Sequence, residues 1–222
     1  MTADTFFSSH TKLTRSLRKF ITDYEAQLEP AVFEAFLLNL HDELENAKAQ
    51  IFSLPPGEAR ARKLQQLVDD EIANGSDIPV SCQKGCSACC HMEVEITTYE
   101  ADILRDQLKN GVTIDRNRLQ RQSGRSLQDP LWKQGPRNPD SRCVFLNDEG
   151  SCRIYEHRPV MCRRHSVTSP AKNCDTLDDK ITIRYFPRVD LYISAANEDA
   201  KVKVGPLAKM LQMELLSSDS NK

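Results

Sequence analysis

Apolar residues recur at spacings of three and four through Leu13, Leu17, Phe20, Ile21, Tyr24 and Leu28, one face of an amphipathic helix that Pro30 interrupts. The same period runs on through Val32, Phe33, Phe36, Leu37, Leu40, Leu44, Ala47 and Ile51 until Pro55, Pro56 and Gly57 stop it. Leu64, Leu67, Val68 and Ile72 predict a third, shorter helix that ends at Asn74-Gly75. Residues 1–78 therefore read as a helical region whose members pack on one another, a scaffold with an acidic outer face.

Beyond residue 90 the pattern changes. Thr97 followed by Glu100 is a capping box, in which each partner satisfies an orphan amide, so a helix is expected from there to Asn110-Gly111. Residues 115–128 predict another, weakened by Gly124, and residues 128–142 (QDPLWKQGPRNPDSR) hold three prolines and a glycine and read as an irregular loop. The stretch KITIRYFPRVDLYIS is rich in β-branched and aromatic residues, which predicts a short strand or hairpin at 181–193. A last amphipathic helix is expected from Pro206 to Leu216, before a polar tail. The fold class is mainly α: a helical scaffold with an irregular cysteine-rich metal-binding module and one short β-hairpin. The expected divisions are 1–78, a module over 79–176, and a strand and helix over 177–222 that pack on the module, all in one compact domain.

At 222 residues the chain can bury a core without covalent staples, which bears on its eight cysteines. Its first twenty residues interleave charges from Asp4 onward and offer no apolar run for a signal peptide. No window approaches the roughly 18–20 apolar residues a bilayer span needs, in keeping with a mean hydropathy of −0.53. A cytoplasmic location without membrane association is expected, where thiols stay reduced and clustered cysteines hold metal. Residues 1–80 carry 8 basic against 13 acidic side chains, whereas residues 105–164 carry 13 against 7, eleven of the basic ones arginine. That arginine-rich segment suits either an anionic protein partner or neutralisation of nearby thiolates. Nucleic acid is not the expected partner, since the pI is about 6.2 and aromatics are not interleaved with the arginines.

The cysteines fall into two groups: Cys82, Cys86, Cys89 and Cys90, then Cys143, Cys152, Cys162 and Cys174. The first is C-x3-C-x2-C-C, with Gly85 and Ser87 beside Cys86 to permit a tight turn. Thiolates held that close repel one another unless a cation neutralises them, so a metal is expected. Zinc prefers four ligands in a tetrahedron, and eight sulfurs make two such sets. Iron–sulfur clusters take cysteines at short spacings too, and x3 then x2 is the loop spacing of the radical-SAM four-iron cluster, although the βα repeats of that barrel are missing here. Adjacent Cys89 and Cys90 would face opposite ways on extended backbone, which leaves them to serve two centres or leaves one unligated. Cys143 and Cys152 flank a turn at Asn147–Gly150 and could meet across a hairpin. His91 and His165 are further candidate ligands or supporting donors. Arg158, Arg163 and Arg164 are candidates to lower thiol pKa values.

These residues carry a resemblance. CQKGCSACC followed by CVFLNDEGSCRIYEHRPVMCR resembles the YkgJ-like cysteine-cluster family, a zinc- or iron-chelating domain, and a similar module occurs in flagellin lysine N-methylases. The likeness runs from Cys82 to about Arg163, with Cys174 as the trailing cysteine. It implies that all eight cysteines bind metal, with Ile154, Tyr155, Arg158 and Pro159 as the frame between the last ligands.

Three functions are open to such a chain: a metal-binding module, an iron–sulfur or iron enzyme of protein or peptide modification such as N-methylation, and a redox or metal sensor. No glycine-rich nucleotide loop supports the second, and Tyr155, Glu156 and His157 are its polar candidates. The crowded cysteine run favours an iron–sulfur cluster over zinc.

Overall fold

The structure is a computed structural model that describes residues 1–75, 77–133, 137–176 and 180–219. It is mainly helical, with a single two-stranded antiparallel sheet among the described residues. No described helix is long and apolar enough to cross a membrane. The chain forms two compact units, one of Met1–Gly75 with Tyr185–Val202 and one of Ser76–Arg184 with Lys203–Lys222. The stretch 177–222 is thus divided between them.

The first unit contains α1 (Ala3–Ser9), α2 (Arg15–Glu25), α3 (Pro30–Phe52), α4 (Glu58–Asn74) and, from the far end of the sequence, α9 (Pro187–Asn197). Pro30 stands at the first position of α3, where its missing amide hydrogen costs nothing, so the residue that breaks the apolar pattern is the one that opens the next helix. Most of the predicted stripe positions are buried, Leu17 and Ile21 on α2, Phe33, Leu37, Leu44, Ala47 and Ile51 on α3, and Leu64, Leu67 and Val68 on α4, whereas Tyr24 and Val32 are exposed. Helices α2, α3 and α4 all pack on α9, which buries Val189, Leu191 and Ala195 among them.

Helix α9 corrects the strand placed at 181–193. Pro187 presets the backbone for a helix N-terminus and Asp190 lies in the first turn, and these outweigh the local β-branched composition. Only an isolated bridge, Val167 to Ile183, remains of strand character there. Helix α1 has no counterpart among the predicted elements; its seven residues are too few for a periodic stripe, and Thr2 caps it by accepting from the Thr5 amide.

The second unit contains the sheet: β1 (Glu95–Thr97) pairs with β2 (Val204–Pro206) in the register Glu95 to Pro206, Ile96 to Gly205 and Thr97 to Val204. Helix α5 (Thr98–Lys109) starts on the predicted capping box, with the Thr97 hydroxyl accepting from the Glu100 amide and the Glu100 carboxylate accepting from the Thr97 amide. Helix α6 (Arg116–Ser123) ends at Gly124, and α10 (Leu207–Asp219) packs on both α5 and α6. Their shared core contains Ile96, Leu104, Leu119, Phe145, Ile154 and Leu211, and Cys143 and Cys152 pack against its edge. The proline-rich loop at 128–142 holds two short 3-10 turns, Pro130–Lys133 and Pro139–Ser141; its centre, residues 134–136, lies outside the described residues, as does the end of the polar tail from residue 220.

Candidate metal centre

All eight cysteines lie in the second unit, each unbonded to another cysteine and each partly buried. Three short backbone features place the first group. Gln83 and Cys86 close a turn through the Cys86 amide and the Gln83 carbonyl at 3.0 Å, and Gly85 sits in it at a φ of +94°, a left-handed conformation that a side chain would strain. Ala88–His91 forms a 3-10 turn carrying Cys89 and Cys90. The segment before Cys82 is fixed by the Ser81 amide on the Val167 carbonyl at 2.9 Å, and the Cys82 sulfur accepts from the Val167 amide at 3.3 Å.

The 3-10 turn changes what the paired cysteines do. On extended backbone they would diverge, but here the Cys89 and Cys90 thiols act on one another, which lowers the pKa of Cys89 and raises that of Cys90. The Cys90 carbonyl also receives the Cys143 amide at 2.7 Å, so the pair is tied directly to the second group.

Cys143 and Cys152 stand on either side of a tight turn in which the Asn147 amide donates to the Ser151 carbonyl at 3.0 Å, with Gly150 at a φ of +76° and a bridge between Leu146 and Cys152. The Arg118 guanidinium holds the Cys143 carbonyl at 3.2 Å. Cys162 lies on α7 (Val160–Arg164), whose first amide donates to the buried Glu100 carboxylate at 2.8 Å. That carboxylate therefore caps α5 with one oxygen and anchors the helix of Cys162 with the other. Cys174 lies on α8 (Asn173–Thr176), which packs against the 3-10 turn of Cys89 and Cys90.

Electrostatics sorts the sulfurs. Burial pushes the Cys82 thiol up, and Cys86, Cys89 and Cys174 push it further. Cys174 is raised by burial, then by Cys86 and Cys89. Burial lifts Cys143 to about 11, with Cys152 and Cys89 adding to it. Cys162 is pushed well up by burial, then by Cys143, Cys89 and Cys152. Beyond Cys89, the neighbours that raise Cys90 are Cys143 and Cys162. Two sets result from these influences: Cys82, Cys86 and Cys174 with Cys89, and Cys143, Cys152 and Cys162 with the Cys89–Cys90 pair. By chain order Cys174 belongs with the second group, but the structure sets it beside the first.

Arg158 supplies the opposing charge. Its guanidinium favours the thiolates of Cys89, Cys152 and Cys162. It is held 3.8 Å over the Tyr155 ring and donates to the Tyr155 carbonyl at 3.0 Å. Arg163 braces the same segment by donating to the Arg158 carbonyl at 2.7 Å and the Glu156 carbonyl at 2.5 Å. Of the histidines, His91 is buried with Nδ1 3.2 Å from the Ser87 carbonyl, so that nitrogen supports the cysteine turn. The pKa of His165 is lowered by burial and by Arg164. Sequence reasoning overlooked Arg137 and gave Ser87 only as a turn residue: Arg137 links the Ser87 hydroxyl at 2.9 Å to Asp175, next to Cys174, at 2.7 Å. The capping box was the one signal for Glu100, and it gave only half of that residue's role.

Residues 81–186 match the family model CxxCxxCC, described as a "Putative zinc- or iron-chelating domain". This segment is similar to that cysteine-cluster family. The CxxCxxCC domain spans somewhat under half the chain and takes in every cysteine. No curated protein and no solved structure matches the chain. The matched description supports metal binding by this domain, and the arrangement of its thiols is in keeping with it. Several buried thiols raise one another's pKa around a single pair, a situation that a bound cation relieves by taking the sulfurs as thiolates.

Proposed function

We propose that the CxxCxxCC domain holds an iron–sulfur centre on Cys82, Cys86, Cys89, Cys90, Cys143, Cys152, Cys162 and Cys174, and that the protein is a metalloprotein whose second unit is organised by that centre. The observation that carries this reading is the spacing of the donors. A closed zinc site with Zn–S bonds of about 2.3 Å brings its sulfurs to about 3.8 Å from one another. Among the described residues no three cysteine sulfurs lie within 4.8 Å of one another. A four-iron cluster, whose irons each take one cysteine, asks for the wider spacing.

The residues fit such a group. Cys82, Cys86, Cys89 and Cys174 form one set, and Cys90, Cys143, Cys152 and Cys162 the other, meeting at the Cys89–Cys90 pair. When bound, an iron–sulfur centre supplies cross-linking and one-electron chemistry. The chain's own part is to orient the sulfurs by the Val167 and Cys143 amides, to offset thiolate charge with Arg158, and to withdraw Cys143 and Cys162 from water. The arginine-rich segment supports an internal role: Arg105 pairs with Asp102 and Asp106, Arg118 with Asp115, and Arg137 with Asp175. Eight unbonded thiols suit a reducing compartment such as the cytoplasm.

Anaerobic purification followed by metal and acid-labile sulfide analysis tests the reading. A brown protein with broad visible absorbance, iron and matching sulfide is expected. A colourless protein with stoichiometric zinc and no sulfide overturns it.

A further inference from the structure

Three donor atoms in the first unit, outside the cysteine-bearing unit, converge on one point. Nε2 of His10 and Nδ1 of His41 stand 2.9 Å apart, and with a carboxylate oxygen of Glu45 all three lie within 4.8 Å of one another. His41 and Glu45 are four residues apart on α3, so the helix itself sets them on one face. His10 follows the end of α1; it is 2 % exposed, and its ring packs 4.7 Å from that of Phe6.

The surroundings prepare His10 as a ligand. Its Nδ1 lies 3.4 Å from Oε1 of Glu198, so the proton of the neutral ring belongs on Nδ1 and the lone pair on Nε2 faces His41 and Glu45. A carboxylate behind a histidine in this way is the usual support of a metal-bound imidazole, fixing its tautomer and raising its basicity. Lys48 takes Oε1 of Glu45 at 2.9 Å and Oε2 of Glu198 at 3.1 Å, which balances the two carboxylates without occupying either imidazole. Two nitrogens bound to one cation at about 2.0–2.1 Å stand roughly 3.3 Å apart, a few tenths of an ångström from the separation already present.

We propose that His10, His41 and Glu45 bind a divalent transition-metal cation, separate in ligand chemistry from the cysteine centre. Two imidazoles and one carboxylate suit zinc, iron(II), cobalt or nickel rather than calcium or magnesium, which prefer all-oxygen sites. Three protein ligands leave room for water or a small anion on the cation. The bound ion would staple the short helix α1, which buries only Ala3 and Phe6, to the long helix α3.

The test is cobalt(II) added to the full chain already carrying its cysteine-bound metal, with bound cobalt measured by equilibrium dialysis and its absorption spectrum recorded. One equivalent should bind with visible ligand-field bands and no thiolate-to-cobalt charge transfer in the near ultraviolet. Affinity for it should fall roughly tenfold or more in Glu45→Gln, an exposed position whose change leaves the fold intact, and further in His41→Ala. Cys86→Ser should leave this cobalt in place, so loss of the cysteine centre and loss of this site are told apart. No cobalt uptake, uptake equal in the native chain and Glu45→Gln, or thiolate charge transfer from all the bound cobalt would overturn the proposal.

Discussion

The amide of Cys143 donates to the carbonyl of Cys90 at 2.7 Å, joining two cysteine groups that are far apart in sequence. The bond puts the second group against the Cys89–Cys90 pair before any metal is considered. Metal binding then adds to folding, because the sulfurs come from the 3-10 turn, the Asn147–Gly150 turn, α7, α8 and the loop before β1, and no one of these holds the others in place alone.

Ligand loss should therefore be felt in both composition and stability. Cys86→Ser removes a member of the set with Cys82 and Cys174, and Cys152→Ser a member of the set with Cys143 and Cys162. Each should lower metal content and lower the melting temperature of the second unit. Full metal content with an unchanged melting curve in both variants would contradict the assignment.

Arg158→Ala removes the cation that favours three thiolates. Metal affinity should drop by roughly 10- to 100-fold, measured by competition with a chelator, while Arg158→Lys keeps part of the charge and should recover part of the loss. An affinity unchanged in Arg158→Ala would mean that the guanidinium only braces Tyr155.

How far these residues were legible in the sequence depends on the range of the forces that place them. The stripes of α2, α3 and α4, the capping box at Thr97 and Glu100 and the turn between Cys143 and Cys152 are local patterns, and the structure has them where periodicity and turn chemistry predict. The strand expected at 181–193 is absent because Pro187, which opens α9, outweighs the β-branched composition around it. The pairing of β1 with β2 was invisible, since three-residue strands carry no period and their partners are distant. Cys174 was grouped by chain order, whereas α8 folds back on the turn of Cys89 and Cys90. The cysteine run announced its chemistry by density alone; the His41–Glu45 spacing carried the only local sign of the second donor cluster, and its partner His10 comes from the segment after α1.

Gly150 tests the turn. Its φ of +76° suits glycine, and a Cβ there would lie 3.4 Å from the Ser87 hydroxyl oxygen. Gly150→Ala should destabilise the second unit by about 1–2 kcal/mol in denaturant unfolding. A change below a few tenths of that size would show that the turn adapts freely.

Asp102 makes stability depend on pH. Burial first, then the adjacent Glu214 carboxyl, raise its pKa to about 6 against the pull of Arg105. The folded chain holds this proton more tightly than the unfolded chain, so the contribution is fully present below the ordinary carboxylate pKa and is lost as pH rises through about 6. Asp102→Asn should therefore gain stability relative to the native chain between pH 4 and pH 7, by a modest amount because the side chain is 26 % exposed. A native-minus-variant difference that is flat across this range, measured by urea unfolding, would remove the claim.

The central claim is that the sulfurs hold iron within a cluster. Mössbauer spectroscopy of the anaerobically purified protein, grown on iron-57, tests it most directly. Quadrupole doublets of tetrahedral, sulfur-ligated iron in exchange-coupled sites are expected, and they should be lost in Cys86→Ser and Cys152→Ser. A protein replete with zinc, and without sulfur-ligated iron in its spectrum, would contradict it.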